Sequence, residues 1–268
     1  MLDKELALKL IQDRYWHHDF EIIPGVRTHG AYDPAGLWNE LQLPLDMSGL
    51  SLADVGASNG YFSFEARKRG ARVVAFDFRH KDNSGFGLAQ YINGLSEIEH
   101  HHINVLDMTS DQFGQFDIVL ALGLFYHVSD PYMALANCAS LSRSRLLIES
   151  YCIDRQLPEG LTSEPVMRFL PDPERFPMQG QPNADRSNFW GFTATCLKRM
   201  VEDVGFAVQK SDVREDRVFI DAKRAGLDLD ATRGAFNDTE TRLNIAYGSV
   251  PPVPVEGNPD DPKAWTIF

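Results

Sequence analysis

Residues 50–77 read LSLADVGASNGYFSFEARKRGARVVAFD, and this stretch decides the architecture. Leu50 to Val55 is an apolar run of strand length that stops against Gly56. Gly60 to Arg69 places apolar residues at helical spacing and is closed by Gly70. Ala71 to Phe76 is a second apolar run, ending at Asp77. Strand, glycine-bearing turn, helix and strand make one βαβ unit, whose two strands must run parallel. The turn Asp54-Val55-Gly56-Ala57-Ser58-Asn59-Gly60 has a chemical logic as well. Its glycines let the main chain pass close to a ligand, and the start of the following helix presents N–H groups. The spacing is not the GxGxxG of a dinucleotide site, because Ser58 stands where a third glycine would be and Asn59 precedes the last one. A pyrophosphate is therefore not the expected guest.

Outward from this unit the alternation continues. A helix is predicted around Gly87 to Leu95, a third strand over His101 to Leu106 ending at Asp107, a fourth over Phe116 to Ala121 and a fifth over Arg145 to Tyr151. The fold class is thus α/β, a mostly parallel Rossmann-like sheet with helices on both faces. Thr193 to Val204 predicts a helix closed by Gly205. Ala207 to Asp212 and Arg217 to Ala222 predict a closing hairpin with Glu215-Asp216 at its turn. Residues 2–15 and Pro34 to Leu43 are amphipathic, and between them lie Trp16-His17-His18 and the turn Ile23-Pro24-Gly25. The expected organisation is an N-terminal helical cover over 1–46, the sheet domain over 47–225 with a proline-rich lid or substrate loop at 157–190, and an irregular tail over 226–268.

The composition, 43% apolar and 24% charged, is that of a soluble globular chain. A net charge of −12 and a pI near 5.1 repel phosphate backbones and weigh against a nucleic-acid partner. Cys138, Cys152 and Cys196 show neither pairing nor CxxC spacing, which fits a reducing cytoplasm. The N-terminus leads into no apolar run long enough for a signal or a membrane helix, so no membrane association is expected. A homo-oligomer stays open.

Asp77 falls at the end of the second strand, 23 residues after Asp54, where a carboxylate can accept both hydroxyls of a ribose. Asp107, at the end of the third, can accept an adenine amino group. Either acid alone reads equally well as a helix cap; together with the glycine turn, at the carboxyl ends of consecutive strands, they point to a nucleoside ligand. The run His100-His101-His102 is a poor chelate, since neighbours on a strand face opposite ways. Asp130 and Asp154 are near in sequence without forming a ligand set, so no metal is expected.

Leu52 to Gly60 resembles the first motif of the class I S-adenosylmethionine (SAM)-dependent methyltransferases, Val73-Val74-Ala75-Phe76-Asp77 their second, and Phe116 to His127 (FDIVLALGLFYH) their fourth-strand motif. The likeness spans about residues 50 to 222. It is nearest to the tRNA wobble-uridine methyltransferases, through Tyr126-His127, Trp16-x-His18 and the Pro24-Gly25-x-x-Thr28-x-Gly30 turn. In that subgroup the N-terminal segment folds over the cofactor. The resemblance implies SAM as cofactor, held by Asp54, Gly56, Ala57, Ser58, Asn59, Gly60, Tyr61, Asp77, Phe78, Arg79, Asp107, Met108 and Gly123, with Trp16 and Thr28 from the cover.

Methyl transfer to oxygen needs alignment and a proton acceptor. His127, after the fourth strand, is the expected base, with Tyr126, His17 and His18 in reserve. The acceptor is expected to meet the 157–190 loop, where Arg168, Arg175, Arg186, Asn188 and Trp190 are candidates. The expected activity is methylation of a hydroxyl on a small molecule, a sugar or secondary metabolite. The alternatives are a tRNA-modifying methyltransferase, a SAM-binding sensor or non-catalytic partner and, more distantly, a nicotinamide dehydrogenase.

Overall fold

A computed structural model describes residues 3–12, 14–158, 160–171 and 187–225. The N-terminal segment holds α1 (Lys4–Gln12), β1 (Glu21–Ile23), β2 (Val26–Arg27) and α2 (Ala35–Glu40). The alternating region follows with β3 (Ser51–Val55), α3 (Tyr61–Lys68), β4 (Arg72–Asp77), α4 (Lys81–Ser84), α5 (Phe86–Asn93), β5 (Glu99–His102), α6 (Ser110–Phe113), β6 (Phe116–Leu122), α7 (Pro131–Leu141) and β7 (Ser142–Tyr151). Then come β8 (Met167–Phe169), β9 (Trp190–Phe192), α8 (Ala194–Asp203), β10 (Phe206–Arg214) and β11 (Arg217–Arg224).

Seven strands form one sheet in the order β10-β11-β7-β6-β3-β4-β5. β3 to β7 pair in parallel, and β11 runs antiparallel to both its neighbours. Chain order reverses between β3 and β6, so a crevice opens at their carboxyl ends, the place where such sheets bind ligands.

Each face of the sheet buries its own core. One face packs Ala134, Leu135, Cys138 and Leu141 of α7, with Leu197 and Val201 of α8, against Val119, Ala121, Leu146 and Ile148. The other packs Phe62, Phe64 and Ala66 of α3 and Phe86 of α5 together with Ile11, Trp16, Phe20, Ile22 and Trp38, so the N-terminal cover completes that layer. Local sequence sets the helix starts. The Asp130 side chain accepts from Met133 N–H ahead of Pro131, and Thr193 Oγ1 accepts from Cys196 N–H at the head of α8.

The βαβ unit, the fourth and fifth strands and the closing hairpin lie where the sequence put them, within a few residues. The third strand does not: β5 stops at His102, and Asn104 then caps a 3₁₀ turn over Val105–Asp107 by accepting from Leu106 N–H. Asp107 therefore lies in a turn and not at a strand end. Along β5, His100 packs on Phe86 while His101 stacks on Phe76, on opposite faces. The β1–β2 pair, α7 and the β8–β9 pair were not anticipated. Among the described residues no helix is long and apolar enough to cross a membrane.

Candidate active site

At the turn between β3 and α3 the sequence pattern becomes a fixed shape. Gly60 has φ +89°, and a Cβ there would lie 2.6 Å from Phe64 Cζ and 2.7 Å from Phe86 Cδ2, so glycine is demanded by conformation and by space. Gly56 and Ala57 N–H donate to the Phe76 carbonyl, Gly60 N–H to the Ala57 carbonyl, and Ser58 N–H to Asp77 Oδ2 at 2.7 Å. The N–H groups expected to face a ligand are thus largely used inside the protein, and the turn offers shape more than a ring of donors.

Asp77 is buried at the carboxyl end of β4. Its Oδ1 accepts from Arg79 N–H at 2.8 Å, and Arg79 Nη2 donates to Ser58 Oγ at 3.1 Å. Asp54 is wholly buried; burial pushes its carboxyl up to about 6, against the lowering effect of Ser63, whose hydroxyl donates to Oδ2 at 2.6 Å.

Both acids open onto a cavity of about 980 Å³ beneath the N-terminal cover. Gly56, Ser58, Phe78, Arg79, Met108 and Gly123 line it, as do His18, Tyr126 and His127. Ile103, Val105, Leu106, Met108 and Phe78 add apolar lining to the same cavity, Ile103 N–H donating to the Asp77 carbonyl at 2.9 Å.

The remaining expected residues are not brought to the cavity wall. Asp107 is exposed, and its place is taken by Asn104 and Leu106 of the same turn. Asn59 is a clamp: its Oδ1 accepts from His17 and His18 N–H at 2.7 and 3.0 Å, and its Nδ2 donates to the Ser84 carbonyl. Thr28 is another clamp, since its Oγ1 accepts from Phe20 N–H and donates to the His18 carbonyl, both at 2.8 Å. Trp16 donates Nε1–H to the Ile11 carbonyl, and Tyr61 packs among Phe20, Trp38 and Phe62. Ala57 and Gly60 shape the turn from behind. Of the loop candidates, Arg168, Asn188 and Trp190 lie off the cavity, and Arg175 and Arg186 lie outside the described residues.

The histidines divide by environment. Burial, with help from His17 and Arg79, pushes His18 down to about 3, so its ring is neutral, and its buried Nδ1 has no hydrogen-bond partner within the protein. His17, at the cavity mouth, is also lowered, by the surrounding protein mass first and then by the nearby cations. His127 is half-buried in the 3₁₀ turn Phe125–His127 after β6, its Nδ1 3.0 Å from both the Ser187 carbonyl oxygen and Ser187 Oγ. The carbonyl can only accept from Nδ1–H, whereas the Ser187 hydroxyl can accept from Nδ1 or donate to it, so the contact itself is compatible with a proton on either ring nitrogen.

Among the lining residues that were not anticipated are Tyr32, Glu149, Ser187 and Arg217. Glu149 had a signal, an acid directly after the apolar run Leu146-Leu147-Ile148 and near a strand's carboxyl end. The other three had none, since only folding brings them here.

A family profile described as a methyltransferase domain matches residues 27–211. The chain is 30% identical over 174 residues to a ubiquinone biosynthesis O-methyltransferase of Bordetella avium, covering 63% of this chain and 69% of the relative. It is 25% identical over 162 residues to a tRNA U34 carboxymethyltransferase of Helicobacter pylori, covering 59% and 62%. Matches to such curated relatives span between 54% and 69% of their lengths. Among solved structures, the N-terminal domain of EvdMO1 with S-adenosylhomocysteine (SAH) bound superposes with a TM-score of 0.60 at 19% identity, covering 84% of this chain and 98% of that one. The chain belongs to the methyltransferase-domain family, and its fold is that of the class I SAM-dependent methyltransferases.

Proposed function

We propose that this chain transfers the methyl group of SAM to a hydroxyl oxygen of a small acceptor, with His127 as general base. The observation that carries the reading is one cavity joining a nucleoside-shaped end at Asp77 to a proton-accepting end at His127. The residues at the first end fit SAM: Asp77 is a held carboxylate for two ribose hydroxyls, and Phe78, Ile103, Leu106 and Met108 give apolar lining for a purine. When bound, SAM supplies an electrophilic methyl group on a sulfonium. The protein's part is to align an oxygen lone pair with it, to keep water out under the cover, and to accept the hydroxyl proton at His127 Nε2. This role needs Nδ1–H to donate to the Ser187 carbonyl, 3.0 Å away, which leaves the accepting lone pair on Nε2. The Bordetella relative's name supports an oxygen acceptor. The Helicobacter relative supports a tRNA acceptor instead, against which stands the −12 charge of this chain.

The test is SAH release from SAM over a panel of sugars, phenols and a tRNA transcript, with wild type and His127→Ala. The expected result is turnover on a small hydroxylated acceptor and a loss of about 10²-fold or more in His127→Ala at unchanged SAM affinity. Unchanged turnover in the variant would remove His127 as the base, and turnover on the transcript alone would remove the small-molecule reading.

A further inference from the structure

Away from Asp77 the cavity is built around a buried acid for which methyl transfer itself has no use. Glu149 is only 8% exposed, in β7. In the β7–β11 pairing Arg217 stands opposite Tyr151, two residues from Glu149 and so on the same face of the sheet. Its guanidinium grips both carboxylate oxygens: Nη2 donates to Oε2 at 2.6 Å and Nε donates to Oε1. The same Nη2 donates to Tyr126 Oη at 3.1 Å, and the guanidinium carbon lies 4.9 Å from the centre of the Tyr126 ring. Gly123 leaves open the space where the three meet, since a Cβ there would lie 3.5 Å from Tyr126 Oη and 3.9 Å from Glu149 Oε2.

The charge balance of the wall is distinctive. Among the described residues lining the cavity there is no lysine, and both arginines face carboxylates: Arg79 lies 3.5 Å from Asp77, and Arg217 is forked onto Glu149. Asp54 and Asp216 add acid without a lining cation to match. Among the described lining residues a carboxylate or phosphate on the acceptor thus meets an Arg217 already forked onto Glu149 and an Arg79 paired with Asp77, its buried Nε lacking a hydrogen bond, and it meets like charge. A hydroxyl meets a carboxylate with acceptor positions beyond those the guanidinium fills, because each oxygen has two lone pairs. A fixed, flat carboxylate suits two hydroxyls on adjacent carbons, each donating to one oxygen.

We propose that Glu149, locked by Arg217 and Tyr126, recognises the acceptor and selects a neutral molecule with adjacent hydroxyls over one bearing a carboxylate. The inference rests on the methyltransferase reading and names the substrate class for the same cavity.

The test is calorimetry on SAH-loaded protein with two matched pairs: D-fucose against D-galacturonate, and catechol against protocatechuate. In at least one pair the neutral member should bind about tenfold tighter or more, one charge-assisted hydrogen bond's worth. Glu149→Gln, which leaves Arg217 without its anion, should abolish or reverse that preference at unchanged SAH affinity. Equal or tighter binding of the carboxylates by wild type, no binding of either neutral probe, or a preference that survives Glu149→Gln would each overturn the proposal. Should Glu149→Gln lose SAH binding, Arg217→Lys serves: neutral-probe affinity should fall about fivefold or more with SAH unchanged, and no change overturns the inference. Wild-type protein that does not bind SAH would sink the cofactor reading itself, an outcome distinct from SAH bound without neutral preference.

Discussion

At the Asp77 end of the cavity the polar framework comes from residues 54–79, one continuous βαβ unit, and most of its bonds involve main-chain N–H groups: Gly56 and Ala57 to Phe76, Ser58 and Arg79 to Asp77. At the other end, His17, His18 and Tyr32 come from the N-terminal segment, Tyr126 and His127 from the turn after β6, Glu149 from β7, Ser187 from the stretch 157–190 and Arg217 from β11. There side chains bond to side chains, as in the Glu149–Arg217–Tyr126 group. One end is local and made of backbone; the other is assembled across some 200 residues of chain. The first is suited to a constant cofactor, and the second can change its guest by changing single side chains.

If this division is right, variants at the two ends should fail differently. The largest effect is expected at the assembled end, where His127→Ala lowers turnover by about 10²- to 10⁴-fold while calorimetric SAM affinity holds. A parallel loss of SAM affinity would blur the division. Next, Gly60→Ala should cost about 2–4 kcal/mol of folding stability, combining a left-handed backbone with contacts to Phe64 and Phe86, and denaturant unfolding measures it. Asp77→Asn follows, with SAM binding weakened by about 1.5–3 kcal/mol, tenfold to a hundredfold, through loss of one charge-assisted bond. Its readout is SAM affinity, and an unchanged value would remove the ribose assignment.

The smallest effect near neutral pH concerns His18. Its folded-state pKa, about 3, is below the ordinary 6.5, so between these values the unfolded chain binds a proton that the folded chain refuses. Its contribution to stability is therefore intact above pH 6.5 and is lost as pH falls toward 3, by up to about 1.4 kcal/mol per pH unit. His17 and His100, also lowered, act in the same direction. Asp54, raised to about 6, acts oppositely between about pH 4 and 6, since there the folded state holds the extra proton. His18→Gln should flatten the acid limb of an unfolding curve, and an unaltered slope would show that water reaches His18 in the folded protein.

Legibility followed the same division. Leu50 to Asp77 was readable because each step is a local rule: an apolar run, a glycine turn, a helix closed by glycine, a second run. Asp107 was misplaced because β5 is short and histidine-rich, so no alternation marks its end, and Asn104 turns the chain three residues earlier than expected. Asn59 and Thr28 sit in ligand-like motifs, yet their side chains are spent on main-chain groups of the cover, and only the fold shows those partners.

The sequence by itself determined the parallel α/β sheet, the crevice at its carboxyl ends and the placement of Asp54 and Asp77 at that crevice, because strand periodicity and turn chemistry act over a few residues. Only the tertiary structure decided that Glu149 is forked by Arg217, that Ser187 meets Nδ1 of His127, and that the cover is fastened through Asn59. Those contacts join residues 41 to 68 positions apart, and a bond at that separation exists only once the sheet has brought its strands together.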